Sequence, residues 1–486
     1  MKTHIYTSLL LSCSAMQLLH AQPQHTDRPN LLIVMADQFR ASAFGFKQIE
    51  PVQTPNLDRF AKESVVVSQA VSGYPVSSPT RGMLYSGAYP HVNGILSNCN
   101  SNTAPHNVEL RQDLVCWSDV LHDEGYITAH IGKWHMDKPV KPYVECYNNK
   151  GTAWNEWCPP ERRHGFDYWI SYGTYDRHLN PMYWNTDSKR EEFYYVNQWG
   201  PEYETDVAIH FLDSIRGQEN PFAVMVSMNP PHTGYEQVPD KYKQMYEHLN
   251  VDSIADALPC VKGSSEKSQR YFKRSLANYY ACITGVDEQF GRIMKALEKN
   301  GQLENTIVIF LSDHGDSMGM HDNIGKNIFY EEAMRVPFFV SWKKKLKPRL
   351  DEKLLYSMED FCPTILSLMG YKDKIPETVQ TRDLSEFIKG AKRNLPKTQL
   401  YMLYSGITKD QCDLTTGARG LRDKRYTYAV RYKKGIIYEE FLFDRKKDHF
   451  QMNNLAQQRP AKANKMFQEM IRQLTLNGDP AAIIHK

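Results

Sequence analysis

The sequence NLLIVMADQ occupies residues 30–38. Its apolar run, Asn30–Ala36, predicts the first strand of the fold, because a short run of apolar and β-branched residues is typical of a buried strand. The polar residues Asp37 and Gln38 follow directly. An apolar strand has no structural need for them, and ligand sites of open α/β sheets lie at the carboxyl ends of strands. This segment therefore indicates a sheet protein with a site at that edge.

Further apolar runs alternate with helical patterns over most of the chain. This alternation predicts an α/β fold with a large, mostly parallel central sheet that is flanked by helices. Strands are predicted at residues 65–67, 126–131, 222–228 and 306–311. Helices are predicted at residues 56–62, 79–85, 116–123, 276–297 and 358–368.

The character of the sequence changes near residue 375. Two strands are predicted at residues 424–431 and 435–443, and a terminal helix at residues 461–474. A chain of 486 residues also exceeds the ~250 to 300 at which one hydrophobic core stops growing. We therefore predict a main domain at residues 22–374 and a smaller C-terminal α+β subdomain with an antiparallel sheet at residues 375–486.

The first 21 residues are predicted to be a signal peptide. Lys2 provides the positive start, residues 5–11 the apolar stretch and Leu19-His20-Ala21 the small-residue exit. We expect a secreted or periplasmic protein; a surface lipoprotein is the alternative, because Leu10-Leu11-Ser12-Cys13 resembles a lipoprotein cleavage box. No later segment reaches the ~20 apolar residues that span a bilayer, so no transmembrane segment is expected.

The charge and the cysteine content exclude few classes of protein. The 59 basic and 56 acidic residues give a net charge of +3, which does not indicate nucleic acid as a partner. Eight cysteines from Cys99 to Cys412 follow the leader without a Cys-x-x-Cys metal pattern. In an exported protein they allow disulfides, and buried thiols are the equal alternative.

Reactive side chains follow four of the predicted strands: Asp37 and Gln38, Lys133 with His135, His232, and Asp313 with His314. The sequence SSPTRGMLYSG at residues 77–87 adds Ser77 and Arg81 at a helix start, and GKN at residues 325–327 adds Lys326. Oxygen donors such as carboxylates suit calcium or magnesium. Lysine and arginine stabilise an anionic substrate, and histidine transfers protons near neutral pH.

Five ordered motifs carry a family resemblance. They are SSPTRG at residues 77–82, GKWH at 132–135, SDHG at 312–315, GK at 325–326 with YE and RVP at 330–337, and LFD at 442–444 with NNL at 453–455. On these motifs the chain resembles a type I, formylglycine-dependent sulfatase of the alkaline phosphatase-like superfamily, of the serine-type bacterial carbohydrate sulfatases. The resemblance implies an alkaline phosphatase-like sandwich, with the sulfatase catalytic domain at residues 22–374.

The resemblance implies a modified residue at position 77. Ser77 corresponds to the position that a radical maturase oxidises to formylglycine, whose aldehyde hydrates to a geminal diol. One hydroxyl of the diol attacks sulfur, and the other allows sulfate to leave by elimination. The alternative structural role of Ser77 is an N-cap hydroxyl, which is preferred before a helix in any case.

The resemblance also assigns roles to five charged or titratable residues. Arg81 holds the hydrated aldehyde, Lys133 and Lys326 bind the sulfate, His135 accepts the proton of the elimination, and His232 contacts the substrate and protonates the leaving sugar oxygen. Histidine suits both proton transfers because its ordinary pKa lies near neutrality.

A divalent metal is implied as well, calcium or alternatively magnesium, with Asp37, Gln38, Ser77, Asp313 and His314 as ligands. The family usually shows Asp-Asp where this chain has Asp37-Gln38, so the site loses one negative charge. A hydrogen bond from the amide to a neighbouring loop is the alternative role of Gln38. For Asp37 and Asp313, burial without a cation would be costly.

Residues 140–200 are predicted to be a loop-rich insertion, because they lack a regular pattern. Aromatic residues crowd it: Trp154, Trp157, Tyr168, Trp169, Tyr172, Tyr175, Tyr183, Trp184, Tyr194 and Tyr195. Two interpretations stay open, exposed rings that stack on sugars and rings that fill a satellite core. Arg177 and His178 lie in the same segment, and the sequence does not separate them from ordinary surface residues.

The expected substrate is a sulfated carbohydrate, with galactose or N-acetylgalactosamine sulfates suggested by the overall likeness to glycan-degrading sulfatases. Two alternatives remain. A phosphate or phosphonate ester hydrolase of the same superfamily would use the same metal and cations. A non-catalytic sulfoglycan-binding protein would follow if Ser77 stays unmodified. The basic runs at residues 343–345 and 445–447 are interpreted as solvated surface.

Overall fold

The structure is a computed structural model that describes residues 28–404 and 406–485. The predicted signal peptide and the Cys13 alternative lie outside the described residues. None of the described helices is long and apolar enough to span a bilayer.

The central sheet has eight strands in the order β10-β2-β9-β8-β1-β7-β3-β4. Their bounds are β1 Asn30–Ala36, β2 Val65–Val71, β3 Ile127–Lys133, β4 Tyr168–Tyr172, β7 Phe222–Met228, β8 Thr306–Leu311, β9 Phe338–Ser341 and β10 Arg349–Ser357. Strand β1 pairs in parallel with β7 and β8, and β9 alone runs antiparallel to its neighbours β2 and β8. The predicted large, mostly parallel sheet is confirmed.

Helices cover both faces of this sheet. Their bounds are α1 Pro55–Lys62, α2 Ser77–Ser86, α3 Pro90–Asn93, α4 Trp117–Asp123, α5 Gly200–Ser214, α6 Asp240–Gln244, α7 Val251–Ala257, α8 Pro259–Lys262, α9 Glu266–Lys299, α10 Glu331–Met334, α11 Phe361–Leu368, α12 Ser385–Ile388 and α13 Pro460–Leu476. Leu31, Ile33 and Met35 of β1 belong to the core under α2, α4 and α11. Leu32 and Val34 belong to the core under α1, α5 and α9. Strand β1 is thus buried on both faces, which explains its unbroken apolar run.

Helix α9 is longer than the predicted helix at residues 276–297. It begins at Glu266, because the side chain of Ser265 accepts a hydrogen bond from the backbone NH of Ser268 and caps the helix. The added first turns are mostly polar, and Phe272 is their one large apolar side chain that is buried. Apolar spacing therefore could not reveal them.

The aromatic insertion is more regular than predicted. Strand β4 lies inside it and pairs in parallel with β3 as an edge strand of the central sheet, and β5 Met182–Tyr183 pairs with β6 Tyr194–Tyr195. Buried rings form a separate core that includes Tyr172, Tyr183 and Trp184. The satellite-core interpretation therefore holds for most of the rings, whereas Tyr195 is 47% exposed.

The C-terminal segment contains an antiparallel sheet, as predicted, but the sheet has four strands where two were predicted. Its strands are β11 Gln399–Tyr404, β12 Gly417–Arg422, β13 Tyr426–Lys433 and β14 Ile436–Asp444, in sequential order, and α13 packs on β12 and β13. Its core continues into Tyr74, Val76 and Met83 around the start of α2. The backbone NH of Met402 also donates to the carbonyl of Gly73 at 2.8 Å. The C-terminal sheet therefore supports the segment that carries Ser77; the domain division at residue 374 stays a prediction.

The eight cysteines of the described chain are free thiols, seven of them buried and Cys412 exposed. The disulfide alternative is therefore not realised among these residues. Buried free cysteine behaves as a small hydrophobic side chain, which accounts for its place in the cores.

Candidate active site

The four strand ends that carry reactive side chains meet at one edge of the sheet. Strands β8, β1, β7 and β3 are direct neighbours, and all four run in the same direction. Their carboxyl ends deliver Asp313 and His314, Asp37 and Gln38, His232, and Lys133 with His135. The strand order thus assembles the residues that the sequence separates by hundreds of positions.

Ser77 is the first residue of α2 and points into this cluster. Its Oγ lies 3.1 Å from Asp37 Oδ2 and 3.0 Å from His314 Nε2, and the side chain is 1% exposed. Val76, not Ser77, occupies the N-cap position, and the helix start has no side-chain cap. The N-cap interpretation of Ser77 is therefore wrong, because its hydroxyl faces the acidic site instead of the helix backbone.

Arg81 lies one helical turn after Ser77, and both terminal nitrogens of its guanidinium donate hydrogen bonds. Its guanidinium donates to the carbonyl of Lys133 and to Ser227 Oγ, each at 2.8 Å, and to Asp37 Oδ2 at 3.1 Å. Its Nε also pairs with Asp313 Oδ2 at 3.4 Å. Arg81 therefore ties α2 to the ends of three strands, and it fixes both carboxylates.

Asp37 and Asp313 form a coupled pair of buried carboxylates. Burial and the neighbouring Asp37 charge raise the pKa of Asp313 to about 6. Burial opposes ionisation of Asp37 too, but the Lys133 ammonium at 2.7 Å and the other positive groups of the site together outweigh it and hold the pKa of Asp37 well below its usual value. The site thus keeps one firmly ionised carboxylate beside one that is close to taking up a proton.

The carboxylate oxygens of Asp37 and Asp313 indicate whether the site could hold a metal ion. Asp37 Oδ1 and Asp313 Oδ2 are buried and accept no hydrogen bond, which is rare for buried polar atoms. One atom each of Asp37, Asp313 and His314 lie within 4.8 Å of one another. His314 Nδ1 faces the carbonyl of Gly315 at 2.9 Å and therefore carries the proton, which leaves the Nε2 lone pair free. These three residues fit a divalent cation.

Gln38 is placed differently from these donors. Its amide nitrogen donates to Asp316 Oδ2 at 2.9 Å and to Tyr235 OH at 3.1 Å, while its Oε1 accepts from Lys326 Nζ at 2.6 Å. The amide is thus matched to the buried carboxylate of Asp316, which an acidic residue at position 38 would repel. Its role as a metal ligand stays a prediction.

Two lysines bring positive charge to the site. Lys133 Nζ lies 2.9 Å from Asn229 Oδ1 in addition to its pair with Asp37. Its backbone position depends on Gly132, whose φ is +96° and where a Cβ would lie 2.3 Å from the carbonyl of Ser227. Lys326 Nζ lies 2.8 Å from His232 Nε2, and burial lowers the pKa of Lys326.

His232 is held between a cation and an anion. Because the Lys326 ammonium can only donate, His232 Nε2 must accept, and the ring proton lies on Nδ1, 3.1 Å from Asp176 Oδ1. Burial first, then the charges of Lys326 and Lys133, lower the pKa of His232 to about 4. The free site therefore keeps His232 neutral, with Asp176 ready to stabilise its charged form.

His135 offers an unused lone pair. Its Nε2 faces the carbonyl of Cys99 at 3.2 Å and so carries the proton, whereas Nδ1 is buried without a partner. Burial, assisted by the charges of Lys133 and Arg81, holds the pKa of His135 well below its usual value. The neutral ring can therefore accept a proton at Nδ1.

The sequence did not lead to the prediction of several residues that belong to the site. Asn229 follows directly on β7 and carried the same signal as Asp37, a polar residue at a strand end, yet only His232 was selected from that segment. Asp316 lies two residues beyond His314. Asp176 had no signal, because it lies in the irregular insertion and reaches His232 only through the fold.

The site combines a buried hydroxyl, two acidic oxygens that accept no hydrogen bond and several cations at the edge of a parallel sheet. This combination defines a hydrolase of anionic oxyesters, because such reactions are catalysed by positioned cations around the reacting oxygens. Comparison with known protein families narrows this class of hydrolase. A family model described as Sulfatase matches residues 29–371, and one described as N-sulphoglucosamine sulphohydrolase, C-terminal, matches residues 319–477. The chain belongs to the sulfatase family and is an enzyme that hydrolyses sulfate esters.

Similar proteins agree with this assignment. The chain is 38% identical to an endo-4-O-sulfatase of Bacteroides thetaiotaomicron, over 95% of this chain and 92% of the relative. It is 31% identical to an ulvan-active sulfatase of Formosa agariphila, over 92% and 80% of the two chains. A crystal structure of the sulfatase-family protein yidJ from Bacteroides fragilis superposes with a TM-score of 0.92 at 51% identity, over 96% of this chain and all of that one.

Proposed function

We propose that this protein is an exported carbohydrate sulfatase with formylglycine at position 77 and a divalent cation at Asp37, Asp313 and His314. The observation that carries the proposal is the position of Ser77, whose Oγ lies within 3.1 Å of both Asp37 and His314. The names of the two relatives point to polysaccharide substrates. Galactose or N-acetylgalactosamine sulfates of host or algal glycans are the proposed substrates.

The modified residue would supply the nucleophile. A radical maturase would oxidise Ser77, and the hydrated aldehyde would attack sulfur with one hydroxyl and release sulfate by elimination through the other. Lys133 and Lys326 then bind the sulfate oxygens, and Arg81 holds the start of α2 against Asp37. His135 Nδ1 accepts the proton of the elimination. No second attack of water on sulfur is needed, because elimination restores the aldehyde.

His232 would protonate the leaving sugar oxygen. In the free site its pKa is about 4, because burial and two ammonium groups disfavour the charged ring. A bound sulfate group neutralises part of the charge of Lys326 and Lys133, so the pKa of His232 rises in the complex. Asp176 at 3.1 Å from Nδ1 stabilises the proton that the ring takes up. Substrate binding therefore favours the protonated form of His232, which the reaction needs as its acid.

We expect Asp176→Asn to lower kcat by about tenfold or more, since one pKa unit changes the protonated fraction of His232 about tenfold. His232 acts in its protonated form, so activity falls as pH rises through its pKa in the complex. Removing the Asp176 charge lowers that pKa and moves the basic limb of the kcat profile to lower pH. The measurement is kcat against pH; Asp187→Asn, an exposed carboxylate of the same insertion, is the control. An unmoved limb would contradict the role of Asp176.

Asp37, Asp313 and His314 would hold calcium, with magnesium as the alternative and with residue 77 and Gln38 as further predicted ligands. When bound, the ion would supply positive charge for the sulfate oxygens and favour ionisation of the attacking hydroxyl.

Calcium should therefore raise the Tm of the purified protein. A ligand at 100 times its Kd adds about 2.7 kcal/mol to the free energy of unfolding. Asp313→Asn removes one of the donors and should abolish this dependence. Asp373→Asn should retain it, because Asp373 is exposed and forms no ion pair within the described part of the chain. Thermal melts with and without chelator, followed by calcium or magnesium, provide the readout. The same calcium dependence in both variants would exclude this site.

Paired aryl substrates test the reaction class. We expect a higher kcat/KM for aryl sulfate than for aryl phosphate; a preference for phosphate would instead support the phosphate or phosphonate ester hydrolase. Binding of sulfated glycans without sulfate release, by protein from a host with the maturase, would contradict the proposed mechanism. Export rests on the predicted signal peptide at residues 1–21, and sequencing the amino terminus of secreted material tests it.

A further inference from the structure

The insertion forms an open pocket on the surface of the protein, distinct from the sulfate site. Its volume is about 640 Å³, within the ~300–1,000 Å³ that small-molecule sites occupy. Tyr147, Lys150, Tyr175, Arg177 and Tyr195 are among the residues that line it. These side chains are aromatic or basic, and none of them has a role in the proposed reaction.

Four tyrosines line this pocket, Tyr143, Tyr147, Tyr175 and Tyr195, and the last three lie close to one another. Tyr175 is buried, and its ring centroid lies 6.5 Å from that of Tyr147 and 6.3 Å from that of Tyr195. Tyr147 and Tyr195 are 43% and 47% exposed, although most other rings of the insertion are buried in the satellite core. Exposed rings around one cavity are a feature of binding sites, since they offer large contact area at little conformational cost.

Two cations of the pocket have no carboxylate partner. Arg177 and Lys150 take part in none of the ion pairs of the described chain, and Glu145 is the single acidic residue of the lining. The Arg177 guanidinium lies 4.2 Å from the centroid of Tyr147, which holds its planar group in place. A guanidinium that is held but not paired is suited to a carboxylate or sulfate oxygen pair.

Two segments that line the pocket are connected to His232 through Asp176. Asp176, between Tyr175 and Arg177, pairs with His232 Nδ1 at 3.1 Å. Asn148, next to Tyr147, donates to Asp176 Oδ2 at 3.1 Å and accepts from the backbone NH of Asp176 at 3.0 Å. Both tyrosine-bearing segments are therefore fixed to the residue that would protonate the leaving sugar.

We infer that this pocket binds an acidic sugar unit adjacent to the sulfated sugar. Tyr147 and Tyr195 contact the sugar rings, and Arg177 binds a carboxylate or a second sulfate group of that unit. The inference rests on the proposed function, because His232 marks the side on which the leaving sugar lies. The substrate is then an acidic oligosaccharide or polysaccharide and not an isolated sugar sulfate.

Binding to the unmodified protein tests this inference without turnover. Protein from a host that lacks the maturase keeps Ser77 as serine, and calorimetry gives its Kd for a chondroitin 4-sulfate tetrasaccharide and for the carboxyl-reduced tetrasaccharide. We expect Arg177→Gln to raise the Kd of the intact tetrasaccharide by about tenfold to a hundredfold, the range for a lost hydrogen bond between charged groups. Tyr195→Ala should raise the Kd of both ligands by about threefold to tenfold.

The matched control is Arg216→Gln. Arg216 is exposed, takes part in no ion pair with the residues that the structure describes and precedes β7, so it lies at the opposite edge of the sheet from the pocket. An effect of Arg177→Gln on the intact tetrasaccharide alone identifies the carboxylate as its ligand, and equal effects on both ligands identify a sulfate group. If Arg177→Gln matches Arg216→Gln for both ligands, the pocket does not bind an acidic sugar. The proposed function fails separately, if matured protein binds the tetrasaccharides but releases sulfate from no sugar or aryl ester.

Discussion

Ser77→Ala will lower kcat/KM for sulfate release by about 10,000-fold or more, the range seen when a nucleophile is removed. The variant should still fold, because Ser77 caps no helix and alanine is a good helix former. The measurement is sulfate release from an aryl sulfate by variant and parent made in a host with the maturase. Mass spectrometry of the peptide that contains residue 77 should show the loss of two hydrogens in the parent.

Ser86→Ala is the matched control on the same helix. Ser86 is equally buried, and its Oγ donates to the carbonyl of Gly82 at 2.7 Å, so its loss should affect stability and leave kcat/KM within a few-fold. Fully active parent protein with an intact serine at position 77 would refute the proposed nucleophile.

Lys133→Ala will lower kcat/KM by about a thousandfold, comparable to the removal of one preorganised donor from an oxyanion site. Lys133 is completely buried, and its ammonium lies 2.7 Å from Asp37, so solvent screening does not weaken its charge. Sulfate carries its charge on the oxygens, and the loss should therefore affect the reacting complex more than the resting protein. Steady-state kinetics on an aryl sulfate measures the effect.

Lys343→Ala serves as the comparison for Lys133→Ala. Lys343 belongs to the surface run at residues 343–345 and lies 3.8 Å from Glu304, an exposed pair with little energetic weight. We expect less than a twofold change. A loss for Lys133→Ala no larger than that of Lys343→Ala would remove Lys133 from the sulfate site.

The parallel core of the fold was predictable because its strands are buried on both faces. Strands β1, β7 and β8 have the predicted bounds, since unbroken apolar runs end abruptly at polar residues. Strand β4 was missed because it lies within the irregular insertion and gains its place only by pairing with β3. Local sequence cannot show an edge strand whose partner is far along the chain.

The part of the site that lies at strand ends was predictable, because it depends on the same regular parallel strands. Asp37, Lys133 and Asp313 follow regular strands, so parallel topology alone brings them together. The contact between Asp176 and His232 and the match of Gln38 to Asp316 depend on side-chain geometry across loops. No periodicity encodes such contacts, and they emerge only once the chain is folded.

The C-terminal sheet packs against Tyr74 and Val76, so these two residues become buried only after the end of the chain has been synthesised. Residues 399–444, which form that sheet, are made more than 300 positions after Ser77. Until they are made, Tyr74 and Val76, which precede α2, lack part of their hydrophobic cover. If Ser77 is modified as proposed, we expect the maturase to act before these last strands pack against the segment that precedes α2.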